Sequence, residues 1–114
     1  MSIMIPPDKV IYNLGPLSGI PLGEGRTFQV EDTAIAIFHT RSGKVFATQA
    51  NCPHKSGPLA DGLVGADMVI CPLHSYKFDL ATGDAIGNPC ASLKTYTIKV
   101  NEEGDLLLTL ENGS

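Results

Sequence analysis

Basic residues are scarce. The 114-residue chain has 8 Lys and Arg against 12 Asp and Glu, a formal charge of −4. Nucleic acids and anionic membrane surfaces are held by basic patches, so neither is expected as a partner. No run of eighteen apolar residues is present, so no membrane-crossing helix is expected. The opening stretch MSIMIPPDKV lacks a basic start and a long apolar segment, and is not expected to be a signal peptide. Cysteine is sparse and odd in number, with three in the chain, which fits no disulfide framework. A reducing, cytoplasmic location is the expectation, with cysteine used for metal rather than cross-links. There is no Gly-rich phosphate loop, nucleophile triad or carboxylate pair. The chain alone is therefore expected to bind no NAD(P)H and to turn over no substrate. The length is that of one domain, 1–114.

No window shows a sustained helical period. Short β-rich runs alternate instead with turn signals. They are KVIYNL (Lys9–Leu14), RTFQV (Arg26–Val30), TAIAIFHT (Thr33–Thr40), KVFATQ (Lys44–Gln49), MVIC (Met68–Cys71), YKFDL, SLKTYTIKV and DLLLTL. The RSG turn places Gly43 where a left-handed conformation is expected. ATG and NEEG are two further hairpin turns. In SLKTYTIKV, Tyr96, Ile98 and Val100 fall on one face and Thr95, Thr97 and Lys99 on the other, the pattern of a half-buried strand. The spacing predicts an all-β fold, a sandwich or barrel of antiparallel strands.

What the chain does hold is a matched pair of metal-type clusters. The stretch NCPHKSGPLADGLVGADMVICPLHSY contains Cys52-x-His54, then, after sixteen intervening residues, Cys71-x-x-His74. Two thiolates and two imidazoles make a four-ligand set. Zinc would take all four on one tetrahedral ion. A [2Fe-2S] cluster with mixed ligation would give the cysteines to one iron and the histidines to the other. The one-residue spacing of Cys52-x-His54 is short for a zinc knuckle. Pro53, Gly57, Pro58, Pro72 and Gly87 lie nearby, and such residues let backbone amides approach bridging sulfides. Both features favour iron.

With C-x-H…C-x-x-H, the sequence resembles the Rieske iron–sulfur family from about Tyr12 to Leu110. The resemblance implies a Rieske-type antiparallel β-sandwich with a two-loop cluster-binding subdomain. The cluster-binding loops would span about 50–60 and 71–79. A proline loop at about 85–90, read in AIGNPC with Pro89 as its proline, would cover the cluster. It further implies one [2Fe-2S] cluster per chain, with Cys52 and Cys71 on the buried iron and His54 and His74 on the outer one. High-potential members of the family carry an extra disulfide, but Gly57 and Leu73 occupy those positions here. Those members also place a serine and a tyrosine hydroxyl two and four residues after the second histidine. Here the positions hold Tyr76 and Phe78, and Phe78 has no hydroxyl. Fewer donors stabilise the added electron less, so a low-potential centre of about −150 mV is expected.

CPHKSGPLADGLV, CPLHSYKFDLATGDA and KTYTIKV resemble the small subunit of cytoplasmic NAD(P)H-dependent nitrite reductase. The resemblance implies one-electron transfer within a complex that reduces nitrite to ammonia in nitrate assimilation. The partner would be a large subunit carrying sirohaem, FAD and a [4Fe-4S] cluster. The alternative is a Rieske ferredoxin shuttling electrons from a flavin reductase to a ring-hydroxylating dioxygenase. Lys55 and Leu59 on one loop and Leu73 and Tyr76 on the other are read as the docking tips.

Other candidates carry less. Cys90 is read as a small buried side chain rather than a fifth ligand. His39, in strand register with Ile35 and Ile37, is read as structural. Asp61, Asp67, Asp79 and Asp84 fit either an acidic face or turn chemistry.

Overall fold

A computed structural model describes residues 9–51, 58–65, 67–71, 76–87 and 91–111. Among the described residues ten strands form: β1 (Lys9–Pro16), β2 (Glu24–Val30), β3 (Thr33–His39), β4 (Val45–Gln49), β5 (Leu63–Val64), β6 (Met68–Ile70), β7 (Lys77–Asp79), β8 (Ala85–Ile86), β9 (Thr95–Val100) and β10 (Asp105–Glu111). Six pair in the order β1-β10-β9-β4-β3-β2, and four in the order β5-β6-β7-β8. Every pairing is antiparallel, as the sequence predicts.

The large sheet curls on itself. Ile35 and Ile37 of β3 share one buried cluster with Leu106 and Leu108 of β10, although β4 and β9 stand between those strands. Tyr96 and Ile98 pack onto that cluster from β9, while Val100, on the same face, is 42% exposed at the strand end. The other face of β3 is equally covered. Ala36 and Phe38 join a second cluster with Val64, Val69, Cys71, Phe78 and Leu80 of the small sheet and its flanks. That double burial explains why TAIAIF is apolar almost without a break. β3 is thus the wall shared by base and cluster-binding part.

The turns follow side-chain chemistry. Gly43, Gly83 and Gly104 all have positive φ, at 87°, 84° and 85°. Asn101 Oδ1 accepts from the amides of Glu103 (3.0 Å) and Asp105 (2.8 Å), and this sets the β9–β10 hairpin. Asp79 Oδ1 does the same after β7, accepting from Ala81 (2.8 Å) and Thr82 (3.1 Å). His39 is structural. Its Nδ1 lies 2.7 Å from the Ile20 carbonyl, and because a carbonyl only accepts, that nitrogen carries the proton.

Gly83 is required twice over. Its φ is left-handed, and a Cβ there would collide with the Leu93 carbonyl oxygen. Its own carbonyl accepts from the Leu93 amide at 2.7 Å. Gly83→Ala is expected to destabilise the fold by about 2–4 kcal/mol, read as a lowered urea midpoint. Gly43→Ala, with nothing within 4 Å of its Cβ, should cost only about 1–2 kcal/mol from φ alone. Equal losses at the two positions would contradict the close approach of Gly83 to Leu93.

Candidate metal centre

The small sheet brings the loop bases together. Its register runs Leu63↔Ile70↔Lys77↔Ile86, so the end of β6, the start of β7 and the end of β8 stand side by side. Cys71 follows Ile70 and Tyr76 precedes Lys77. The Cys71 amide donates to the Tyr76 carbonyl at 2.7 Å, which closes the base of the second loop. The first loop is closed between Asn51 and Pro58, which form an isolated antiparallel bridge. The Leu59 amide then donates to the Ala50 carbonyl at 2.9 Å. The third loop leaves from Gly87, one residue beyond β8.

Strand alternation decides where Cys71 points. Val64, Val69, Phe78 and Ala85 lie on the inner face of the small sheet, and Cys71 falls on the same side as Val69. Its side chain is 2% exposed, among Leu59, Phe78 and Leu80. A bare thiolate in such apolar surroundings is unfavourable, so the site suits either a thiol or a metal-coordinated thiolate. The apolar wall shields that sulfur from water.

Of the four predicted ligands, Cys71 alone lies among the described residues. Cys52, His54 and His74 lie outside them, as do Cys90, Pro89, Lys55 and Leu73. Among the described residues no three His, Cys, Asp or Glu side chains gather into another metal site. The expected second loop, 71–79, is shorter in structured terms, because Lys77–Asp79 are already strand.

Leu59 corrects the predicted docking tips. It is fully buried, at 0% exposure, beside Phe38. The reason is a 3₁₀ turn at Leu59–Asp61, closed by the Gly62 amide on the Leu59 carbonyl at 2.9 Å. That turn tucks Leu59 under β3 instead of raising it to the loop tip. Tyr76 is half-buried and packs on the same cluster. The acidic residues also resolve in part. Asp79 makes a turn, Asp84 Oδ1 accepts from Ser92 Oγ at 3.1 Å, and Asp67 pairs with Lys44 at 3.5 Å. They serve the fold, and an acidic face built on them is not needed to explain them.

The family model described as a Rieske-like [2Fe-2S] domain matches residues 11–108. The chain belongs to that family. Its cofactor is accordingly a Rieske-type [2Fe-2S] cluster, which a donor set of thiolates and imidazoles and the dry pocket of Cys71 suit. This Rieske domain is 32% identical over 96 residues to the ferredoxin component of the naphthalene 1,2-dioxygenase/salicylate 5-hydroxylase systems of Ralstonia sp, covering 83% of the chain and 90% of that protein. It is 35% identical over 88 residues to the nitrite reductase [NAD(P)H] of Emericella nidulans, covering 69% of the chain but 8% of that much longer protein. A nitrite reductase small subunit of Mycobacterium tuberculosis superposes with a TM-score of 0.82 at 23% identity, over 90% of this chain and 96% of that one. At that identity the likeness is one of fold. No helix among the described residues is long and apolar enough to cross a membrane. The chain is a Rieske-type electron carrier.

Proposed function

We propose that Cys52, His54, Cys71 and His74 hold the cluster within a single domain spanning 1–114. One electron at a time then passes through the chain as the small subunit of a cytoplasmic NAD(P)H-dependent nitrite reductase. The observation that carries electron transfer is the buried Cys71 at the base of a loop whose neighbours in the sheet are the other loop bases. Cys71 lies inward, and the resemblance to the family implies that the histidine-bound iron is the outer one. The cluster supplies the one-electron chemistry, and the chain excludes water and fixes the loops.

The choice of partner is supported by CPHKSGPL and KTYTIKV and by the similarity to a segment of the Emericella nidulans enzyme. The partner is then the large sirohaem and FAD subunit. A specific observation favours the second reading, a ferredoxin serving a flavin reductase and an oxygenase: the Ralstonia ferredoxin matches along 90% of its length. Co-expression with each class of partner, followed by size exclusion at several salt concentrations, separates the two. Co-elution with a sirohaem reductase and stimulation of nitrite reduction are expected. Elution alone together with support of dioxygenase turnover would establish the ferredoxin instead.

A further inference from the structure

Gln49 ends β4, three residues before Cys52. Its backbone amide donates to the Lys94 carbonyl at 2.8 Å, continuing the ladder in which Thr48 pairs with Thr95. The return bond is different. The Lys94 amide donates to the side-chain Oε1 of Gln49, at 2.7 Å, instead of to a backbone carbonyl. The same side chain donates through Nε2 to the Asn51 carbonyl, also at 2.7 Å. One planar amide therefore ties Lys94, which follows the third loop, to Asn51, which immediately precedes Cys52. Asn51 in turn bridges to Pro58 at the base of the first loop. Only a carboxamide offers an acceptor and a donor together at this span. Glutamate keeps the acceptor and sets a second oxygen against the Asn51 carbonyl.

We propose that Gln49 is a positioning residue for the cluster: its amide fastens the strand end after the third loop to the base of the first, and so slows loss of the cluster. The inference rests on the four-ligand reading above and is independent of which partner receives the electron. Two bonds are lost together in Gln49→Met, which keeps length and apolar volume. On the cluster-loaded full chain, three quantities are compared: the rate of visible bleaching under excess chelator, amide exchange at Lys94, and amide exchange across β3 and β10. Gln49→Met is expected to raise Lys94 exchange and to speed bleaching about tenfold, with exchange in β3 and β10 little changed. Gln49→Glu should keep Lys94 protected and still bleach faster than the parent. Should Gln49→Met fail to fold or load, Gln49→Glu decides by the same readings. Bleaching within twofold of the parent while the bond in question is lost would overturn the proposal. So would bleaching that rises in step with exchange across β3 and β10, since loss would then run through global unfolding. A parent whose reduced cluster lacks the electron-resonance signature of histidine ligation would instead overturn the ligand set, and that is read before any variant is made.

Discussion

Cys71→Ser is expected to give a colourless protein that keeps its fold. The parent should be red-brown, with two irons and two acid-labile sulfides per chain, as a single Rieske cluster requires. Cys71 sits in an apolar pocket at 2% exposure, at the end of β6 and against Phe78 and Leu80. Serine matches its size but not its chemistry. Its hydroxyl does not give up a proton near neutral pH, and hard oxygen is a poor match for a sulfide-bridged iron pair. The inner iron would be left with one protein ligand. The fold should survive, because burying one unsatisfied hydroxyl costs about 1–3 kcal/mol. Bound iron is therefore expected to fall to about a tenth of the parent's or less, while far-ultraviolet dichroism is retained. A variant with its full iron and colour would remove Cys71 from the ligand set. A colourless, zinc-replete parent from iron-sufficient cells would refute the cluster itself.

Much of this was legible because strands and metal ligands leave short-range marks. TAIAIFHT is legible as a strand because its apolar run AIAIF carries β-branched residues, and its burial on both faces is what the structure adds. Cys52-x-His54 and Cys71-x-x-His74 stand out in the sequence for a different reason, in that ligand spacing is a chemical constraint rather than a packing outcome, and of the four only Cys71 lies among the described residues. What stayed hidden depends on distant partners. β5, Leu63–Val64, is too short to show a period and exists because β6 pairs with it. Leu59 looked like a loop tip because a single 3₁₀ turn reverses its direction, and no pattern in GPLADG records that. Gln49 is the clearest case. Its partner Lys94 lies 45 residues away, and nothing in KVFATQ distinguishes this glutamine from a solvated one until the two strands are in register.

Phe78→Tyr is expected to raise the midpoint potential, by at most about 60–130 mV. Phe78 is fully buried in β7, with its ring on the inner face of the small sheet between Val69 and Ala85. The cluster of buried side chains around it is Ala36, Phe38, Leu59, Val64, Val69, Leu80, Leu93 and Cys71. Among those buried side chains the one acceptor is sulfur, that of Cys71 and of the cluster it is proposed to hold, and a hydroxyl buried without an acceptor is disfavoured. Reduction adds negative charge that spreads onto those sulfurs. The hydrogen bond is then stronger after reduction than before it, which favours the reduced state and sets the sign. A bond to a charged group is worth about 1.5–3 kcal/mol. For a one-electron couple, about 59 mV per tenfold change converts this to the stated range. The extra atom also strains a packed wall, at about 1–3 kcal/mol, which lowers thermal stability without moving the potential. Voltammetry on the loaded variant separates the two effects, since strain alone leaves the midpoint in place. A structure placing the new hydroxyl on a sulfur, with an unmoved midpoint, would contradict the reading of Phe78 as the residue that withholds a donor here.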